Sequence, residues 1–202
     1  LDGPPLPPVR FGSLVDALAR AAESASGLVF LDAAEREQAI PWSEVFRRAG
    51  RVAAGLLRLG IRPGDRVALV LPTSPDFPDA FFGALLAGAV PVPLYPPMRL
   101  GRLAEYHART VRMLSACGAA LVLTDRRICR LLGESIARFR PALGCRVVST
   151  VAAERTVARA SRSDELALIQ FSSGTTADPR PVALEHRAVL ANLAAIDTFL
   201  TA

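Results

Sequence analysis

Short apolar runs alternate with longer amphipathic segments along most of this sequence, and this alternation constrains the fold strongly. The clearest run is 67–71, which carries no polar side chain at all. Such a strand is typically buried on both faces, as in a parallel sheet that helices cover. Strands are predicted at 27–32, 67–71, 89–94, 119–125, 145–150 and 166–171. Because helical segments separate the runs, we predict an α/β fold with a mostly parallel sheet and helices on both faces.

The predicted helices begin and end at specific residue types. They are predicted from Phe11, between Ser43 and Gly60, and over 75–88, 100–117, 126–139 and 185–200. Ser43 is expected to cap the second helix, and Gly60 is expected to end it. In the third helix, Ser74 is expected to be the cap, Pro75 the first helical residue and Asp76 the partner of the positive dipole end.

The composition limits the classes of partner. The chain has 202 residues, of which 51% are hydrophobic, so a substantial core can form,. Its net charge is +5, and all 24 basic residues are arginine. The arginines are dispersed and no basic run carries interleaved aromatics, which argues against a nucleic-acid groove and favours anionic small molecules or an acidic partner protein. A reaction step that needs a lysine cannot be completed by this chain.

The uncharged stretch 80–98 is long enough to be tested as a membrane span,. Its prolines, Pro91, Pro93, Pro96 and Pro97, argue against one continuous helix. A buried helix that runs into a buried strand explains the same residues. We therefore predict no transmembrane span.

The three cysteines, Cys117, Cys129 and Cys145, are odd in number and widely spaced. This pattern indicates neither a disulfide framework nor a zinc site. We interpret them as small apolar core residues of a cytoplasmic protein in a reducing compartment.

Residues 170–181, QFSSGTTADPRP, place small polar residues directly after a predicted strand. Ligands of open α/β sheets bind beyond the carboxyl ends of the strands. Gly174 permits a tight turn, neighbouring hydroxyl groups can donate hydrogen bonds to phosphate oxygens, and Arg180 can add a bidentate contact. The hydroxyl groups are those of Ser172, Ser173, Thr175 and Thr176. The alternative is an ordinary surface loop, and the Walker pattern is absent.

Residues 168–193 resemble the phosphate-binding signature of the adenylate-forming, or AMP-binding, superfamily, which includes acyl-CoA synthetases, luciferases and adenylation domains of peptide synthetases. The family pattern reads roughly T-S-G-[ST]-T-G-x-P-K-G-V, and residues 172–176, Pro179 and Val182 match it. Two earlier blocks, 40–72 and 81–97, are also similar to family blocks in the same order. VPLYPP and the segment that follows it are most similar to the fatty acyl-AMP ligase branch.

This resemblance implies an ATP-dependent ligase that activates a fatty acid as acyl-adenylate and passes it to an acyl carrier protein. It implies that Ser172–Thr176 hold the β- and γ-phosphates and that Arg180 supplies counter-charge. ATP and Mg²⁺ are the implied cofactors, with the Mg²⁺ ligands and the catalytic lysine expected outside this chain. Residues 1–10 are expected to be a proline-rich leader, and 11–202 the N-terminal α/β subdomain of an AMP-binding domain. We expect this piece of the enzyme to be inactive alone.

Three loop positions depart from the family pattern: Ala177 and Pro181 replace glycines, and Arg180 replaces the lysine. Arginine keeps the charge on a larger planar head. Proline fixes φ and removes an N–H group, so a stiffer loop is expected. Two alternatives follow: a non-catalytic, degenerate adenylation scaffold that binds a carrier protein, or an acyl-CoA synthetase, which differs in its acceptor.

Several other polar or sulfur-containing residues are interpreted as structural. His107 and His186 have no cysteine or carboxylate at metal-ligand spacing. Asp178 precedes a proline and is expected in a turn. Met98 and Met113 are expected to fill the core or a pocket.

Overall fold

The computed structural model describes residues 8–32, 34–97, 102–172 and 179–201. Their helices are α1 (Leu14–Ala21), α2 (Trp42–Arg58), α3 (Asp76–Leu86), α4 (Leu103–Cys117), α5 (Arg126–Leu131), α6 (Gly133–Phe139), α7 (Val148–Val151) and α8 (His186–Thr201). Their strands are β1 (Gly27–Leu31), β2 (Glu37–Pro41), β3 (Arg66–Val70), β4 (Val90–Leu94), β5 (Leu121–Thr124), β6 (Cys145–Val147), β7 (Leu166–Phe171) and β8 (Pro181–Glu185).

Four parallel strands in the order β4-β3-β5-β6 form the central sheet. Helices connect β3 to β4, β4 to β5 and β5 to β6. This arrangement confirms the predicted α/β fold, since parallel neighbours need crossover connections and helices provide them.

Both faces of the central sheet are covered. Val67 and Leu69 of β3 pack in one cluster with side chains of α2 and α3, whereas Ala68 and Val70 pack in a second cluster with side chains of α4 and α5. All four residues are completely buried. Successive side chains of β3 thus pack alternately into the two clusters. Because both faces of the strand are buried, the run 67–71 contains no polar residue. Each fully buried Val or Leu side chain contributes about 1.5–3 kcal/mol.

Two antiparallel hairpins accompany the central sheet. One consists of β1 and β2, and the other of β7 and β8. β7 lies against β4, which is an edge strand of the central sheet. Neither β2 nor β8 was predicted, because each is a five-residue strand next to a helix whose amphipathic pattern dominates the local sequence.

Two predicted elements have different bounds. The helix expected over 126–139 is divided into α5 and α6, and fully buried Leu132 and then Gly133 lie at the junction. Gly133 lowers helix propensity there. The strand expected over 145–150 ends at Val147 because Val148 begins the short helix α7.

Two predicted helix caps are wrong. Ser43 lies inside α2, whose N-cap residue is Pro41, and Ser74 precedes Pro75, the N-cap residue of α3. Neither proline provides a capping side chain. In contrast, Gly60 follows the end of α2 with φ +95°, so its predicted role at the end of this helix is confirmed,.

The stretch 80–98 contains α3 and β4 in place of one long helix, as predicted. Among the residues that the structure describes, no helix combines the length and apolar character needed to cross a membrane. Met113 is buried in the second cluster as expected, whereas Met98 lies outside the described residues. Cys117 is also buried, but Cys129 and Cys145 are partly exposed, which corrects the prediction that all three are core residues.

Candidate functional site

The predicted phosphate loop joins two antiparallel strands. Phe171 of β7 lies opposite Pro181 of β8, and residues 172–180 connect the strands. The Ser172 N–H donates a hydrogen bond to the Arg180 carbonyl oxygen at 3.0 Å. The two ends of the loop are therefore joined to each other. The sequence predicted a helix after the loop and no strand β8, so this connection was not predicted.

Ser172 and Arg180 directly follow the last printed pair of the ladder, Phe171 with Pro181, and the backbone hydrogen bond joins them. Both residues are exposed. The Cα atoms of a hydrogen-bonded antiparallel pair are about 5.5 Å apart, so the two residues lie side by side where the loop begins and ends. The other predicted site residues, Ser173, Gly174, Thr175 and Thr176, lie outside the described residues, as do Ala177 and Asp178.

Pro181 occupies a position that does not require a backbone donor. Hydrogen-bonded and non-hydrogen-bonded pairs alternate along an antiparallel ladder. Because Ser172 bonds to Arg180, the next pair, Phe171 with Pro181, is a non-hydrogen-bonded pair. Proline therefore removes no ladder hydrogen bond here and stiffens the end of the loop instead.

Burial of β7 anchors the first end of the loop. Ala167 is completely buried in the first cluster, and Ile169 is buried in the second cluster, against which Phe171 also packs. The register shifts between Leu166 and Leu168. Such an irregularity interrupts the alternation of side chains, and it allows one short strand to contribute to both cores.

His186 anchors the other end of the hairpin. It is the first residue of α8 and is 1% exposed, and its N–H donates to the Glu165 carbonyl oxygen at 3.1 Å. Its Nδ1 accepts the Leu14 N–H at 3.1 Å, so α1 and α8 are joined. Burial lowers the pKa of His186, against the raising effect of Glu165 and Asp16. Because Nδ1 accepts a hydrogen bond, it carries no proton, and the imidazole ring is neutral. The predicted structural role of His186 is confirmed.

His107 also has a structural role, as predicted. Its ring is buried, and Nδ1 lies 2.8 Å from the Ser135 Oγ in a contact that joins α4 to α6. Nε2 lies 3.7 Å from the Glu134 carboxylate. Because Ser135 is completely buried, this Ser–His–Glu contact gives substrate no access to the hydroxyl group.

An ion pair between Arg159 and Glu165 holds the segment before β7. The guanidinium donates two hydrogen bonds to the carboxylate, at 2.9 and 3.0 Å, and the Arg159 N–H donates to the Leu86 carbonyl oxygen. The hydrogen bond from Arg159 lowers the pKa of Glu165. Sequence periodicity does not predict this pair, since the two residues lie in an irregular segment.

Two cavities among the described residues lie away from Ser172 and Arg180. One, of about 330 Å³, lies between residues 8–11 and α8. The other, of about 280 Å³, is lined by Glu165 and His186 at the end of β7 that is remote from the loop. Ser172 and Arg180 themselves lie at the surface.

No cluster of His, Cys, Asp or Glu in the described ranges could hold a metal ion. The chemistry of the described donors fits phosphate, since Ser172 can donate a hydroxyl hydrogen and Arg180 can donate N–H groups. Ser172 offers one hydroxyl oxygen and Arg180 offers none, so these two residues do not form a Mg²⁺ site, for which carboxylates are the usual protein ligands.

The chain is similar to known proteins in sequence and in fold. The chain is 33% identical over 178 residues to "Long-chain-fatty-acid--AMP ligase FadD32" of Mycolicibacterium smegmatis, covering 81% of this chain and 27% of that protein. It is similar to a solved structure of fatty acyl-adenylate ligases from E. coli and L. pneumophila, with a TM-score of 0.86, 33% identity, and coverage of 96% of this chain and 35% of the other.

A second solved structure is the fatty acyl-adenylate ligase from L. pneumophila in complex with acyl adenylate and pyrophosphate. Its TM-score is 0.80 at 27% identity, and the match covers 94% of this chain and 33% of that chain. This chain therefore spans about a quarter to a third of the length of these relatives.

The match to a family profile also covers most of the chain. Residues 18–201 match the sequence profile described as "AMP-binding enzyme". This match includes the helices on both faces of the sheet and the hairpin that carries the loop. The chain belongs to the AMP-binding enzyme family, and its α/β fold is that of the adenylate-forming ligases.

Proposed function

We propose that this chain carries the phosphate-binding loop of an ATP-dependent ligase that converts a fatty acid into its acyl-adenylate. The observation that supports this most is the hairpin geometry, which fixes Ser172 and Arg180 opposite each other at the entrance of the loop. Membership of the AMP-binding family and similarity to FadD32 give the chemical class. The proposed phosphate contacts are Ser172, Ser173, Gly174, Thr175, Thr176 and Arg180.

In the proposed reaction, a carboxylate oxygen of the fatty acid attacks the α-phosphorus of ATP. A carboxylate O–P bond forms, the bond from the α-phosphorus to the bridging oxygen breaks, and pyrophosphate leaves with its electron pair. The chain's part is positioning and neutralisation of charge. Ser172 donates a hydroxyl hydrogen bond to the leaving phosphates, and Arg180 offsets their growing negative charge.

We propose an acyl carrier protein as the acceptor of the activated acyl group, in a cytoplasmic enzyme. The support is similarity to proteins named fatty acid–AMP ligases, while CoA is the alternative acceptor.

Mg²⁺, when bound, would neutralise phosphate charge, and its ligands are proposed to lie outside the described residues. We further propose that residues 11–202 form one subdomain of the AMP-binding domain, preceded by a leader of residues 1–10.

A non-catalytic scaffold is the rival function, and its strongest argument was the altered loop. The position of Pro181 weakens that argument, because the ladder requires no donor there. Arg180 also keeps a positive charge where the family pattern has lysine. Nucleotide-dependent chemistry at this loop distinguishes the ligase from the scaffold.

We predict that Arg180→Ala in the intact protein lowers fatty-acid-dependent exchange between ATP and pyrophosphate by about 10–150-fold. This loss corresponds to one charge-assisted contact of about 1.5–3 kcal/mol. The assay compares the wild-type protein with Arg180→Ala and with Arg180→Lys, which should retain most activity.

Arg187→Ala is the matched control, because Arg187 is also exposed and pairs with Glu185 beyond the loop. It should leave the exchange rate nearly unchanged. Background exchange in all four proteins would eliminate the ligase and favour the scaffold. An equal loss in Arg180→Ala and Arg187→Ala would show that Arg180 acts only through general surface charge.

A further inference from the structure

Two of the three cysteines face each other across the boundary between α5 and the central sheet. Cys129 lies on α5, and Cys145 is the first residue of β6. α5 packs against β6, and the side chains of Cys129 and Cys145 are close enough to interact with each other. Chain connectivity explains the contact, since α5 follows β5 directly and β5 is the parallel neighbour of β6.

Both residues of this pair also have partial contact with solvent. Each of the two cysteines is partly exposed, whereas Cys117 is buried. The Cys117 Sγ donates to the Leu114 carbonyl oxygen within its own helix, at 3.5 Å. The exposed pair is therefore chemically distinct from the third cysteine, although the sequence alone gave all three the same role.

We propose that Cys129 and Cys145 are an oxidation site, which a small-molecule disulfide such as oxidised glutathione converts into an intramolecular disulfide. In the first step, one cysteine thiolate attacks a sulfur of oxidised glutathione, and one glutathione thiolate leaves. In the second step, the other cysteine loses its proton and attacks the mixed disulfide, and the second glutathione leaves. Two protein thiols are oxidised, and one disulfide is reduced to two thiols.

The surroundings of the two thiols give the order of attack. Burial and then the neighbouring Cys129 raise the pKa of Cys145 to about 12, against the lowering effect of Arg146. Because the thiolate is the nucleophile, Cys145 is a poor first attacker, and we assign it the second, resolving step. The contact between them supplies the proximity that the second step requires.

The bridge would join α5 to an edge of the fold. β6 is three residues long and is the edge strand at the opposite side of the sheet from β4, against which β7 lies. The site is therefore separate from the proposed phosphate loop. Disulfide formation is tested without nucleotide, so a negative result would leave the proposed function unaffected.

The experiment treats the native full chain with oxidised glutathione, blocks the remaining thiols and digests it with trypsin. Cleavage after arginine, except before proline, places Cys129 in ICR (128–130) and Cys145 in FRPALGCR (139–146). We expect one disulfide-linked peptide made of these two segments, lighter by two hydrogen atoms than their sum. A reductant should restore the two free peptides.

Three variants and an unfolded control complete the test. Cys129→Ser and Cys145→Ser should abolish the linked peptide, and Cys145→Ser should accumulate glutathione on Cys129. Cys117→Ser should form the linked peptide as the wild type does. In urea the yield should fall and pairings with Cys117 should appear. Unreacted thiols, stable mixed disulfides on both cysteines or only intermolecular bridges in the native wild type would overturn the proposal.

Discussion

Burial and charge oppose each other at Asp79 of α3. Its carboxylate lies 2.8 Å from the Arg48 guanidinium of α2, and its side chain is only 7% exposed. Burial raises the pKa of Asp79 to about 6, Arg48 lowers it, and Asp76 raises it. The ion pair joins two helices of the first cluster, but it holds a buried negative charge at neutral pH.

We predict that the wild type loses stability relative to Asp79→Asn as the pH rises. The folded pKa of about 6 lies above the ordinary value of 3.8, so the folded state keeps the proton longer. The contribution of protonated Asp79 to the free energy of unfolding is complete below about pH 4 and is lost above about pH 6,. The free energy of unfolding changes by about 3 kcal/mol over this range. Urea unfolding at several pH values measures it.

Asp164→Asn is the matched control, because Asp164 is exposed and its pKa is lowered by a hydrogen bond from Arg162. The free energy of unfolding of Asp164→Asn should still decline between about pH 4 and pH 6, as in the wild type. A parallel pH dependence of the wild type and Asp79→Asn would contradict the assignment of the decline to Asp79.

At the scale of elements, α2 and α7 approach so closely that no side chain fits between them at Gly55. A Cβ atom on Gly55 would lie 1.8 Å from the Val151 carbonyl oxygen. We predict that Gly55→Ala lowers the free energy of unfolding by about 1–3 kcal/mol or more, since the backbones must separate. Denaturant unfolding of the two proteins gives the difference.

Gly133→Ala is the control for this prediction. Nothing lies within 4 Å of a Cβ atom at Gly133, which begins α6. Alanine there should raise the stability by about 0.4–1 kcal/mol, because it restricts the unfolded chain. A loss at Gly133 equal to the loss at Gly55 would refute the steric explanation.

The sequence predicted the elements whose periodicity is long and uninterrupted. α4 and the apolar strands β3, β4 and β5 lie where the pattern placed them, because burial on both faces leaves a continuous apolar run. β8 was missed because its pairing partner lies across the loop and its exposed face carries Val182. Register is a long-range property, and local composition does not contain it.

Only part of the site was predicted, because its other contacts join residues that are far apart in the sequence or lie in irregular segments. Small hydroxyl residues after a strand identified the loop, and the structure brings Ser172 and Arg180 together. The anchors were not predictable as a set: His186 contacts Leu14 at the other end of the chain, and Arg159 pairs with Glu165 in an irregular segment. Ser173 to Thr176 remain predicted phosphate contacts.

At the scale of the whole molecule, the described residues place the proposed phosphate loop at the end of a buried framework. The parallel sheet buries both faces, β7 packs against both clusters, and the loop emerges from its end. In the proposed function, this framework positions the phosphate donors of the loop. This arrangement is consistent with a chain that spans about a third of the fatty acyl-adenylate ligase structures it resembles.

The most direct test of the proposed function follows an oxygen atom through the reaction. The intact protein that contains this chain is given ATP, Mg²⁺ and a long-chain fatty acid whose carboxylate carries a heavy oxygen isotope. Hydroxylamine then releases the acyl group, and the AMP is analysed by mass spectrometry. The account predicts AMP that contains one heavy oxygen atom, because the carboxylate oxygen has bonded to the α-phosphorus. Unlabelled AMP, or no AMP that depends on the fatty acid, would contradict it.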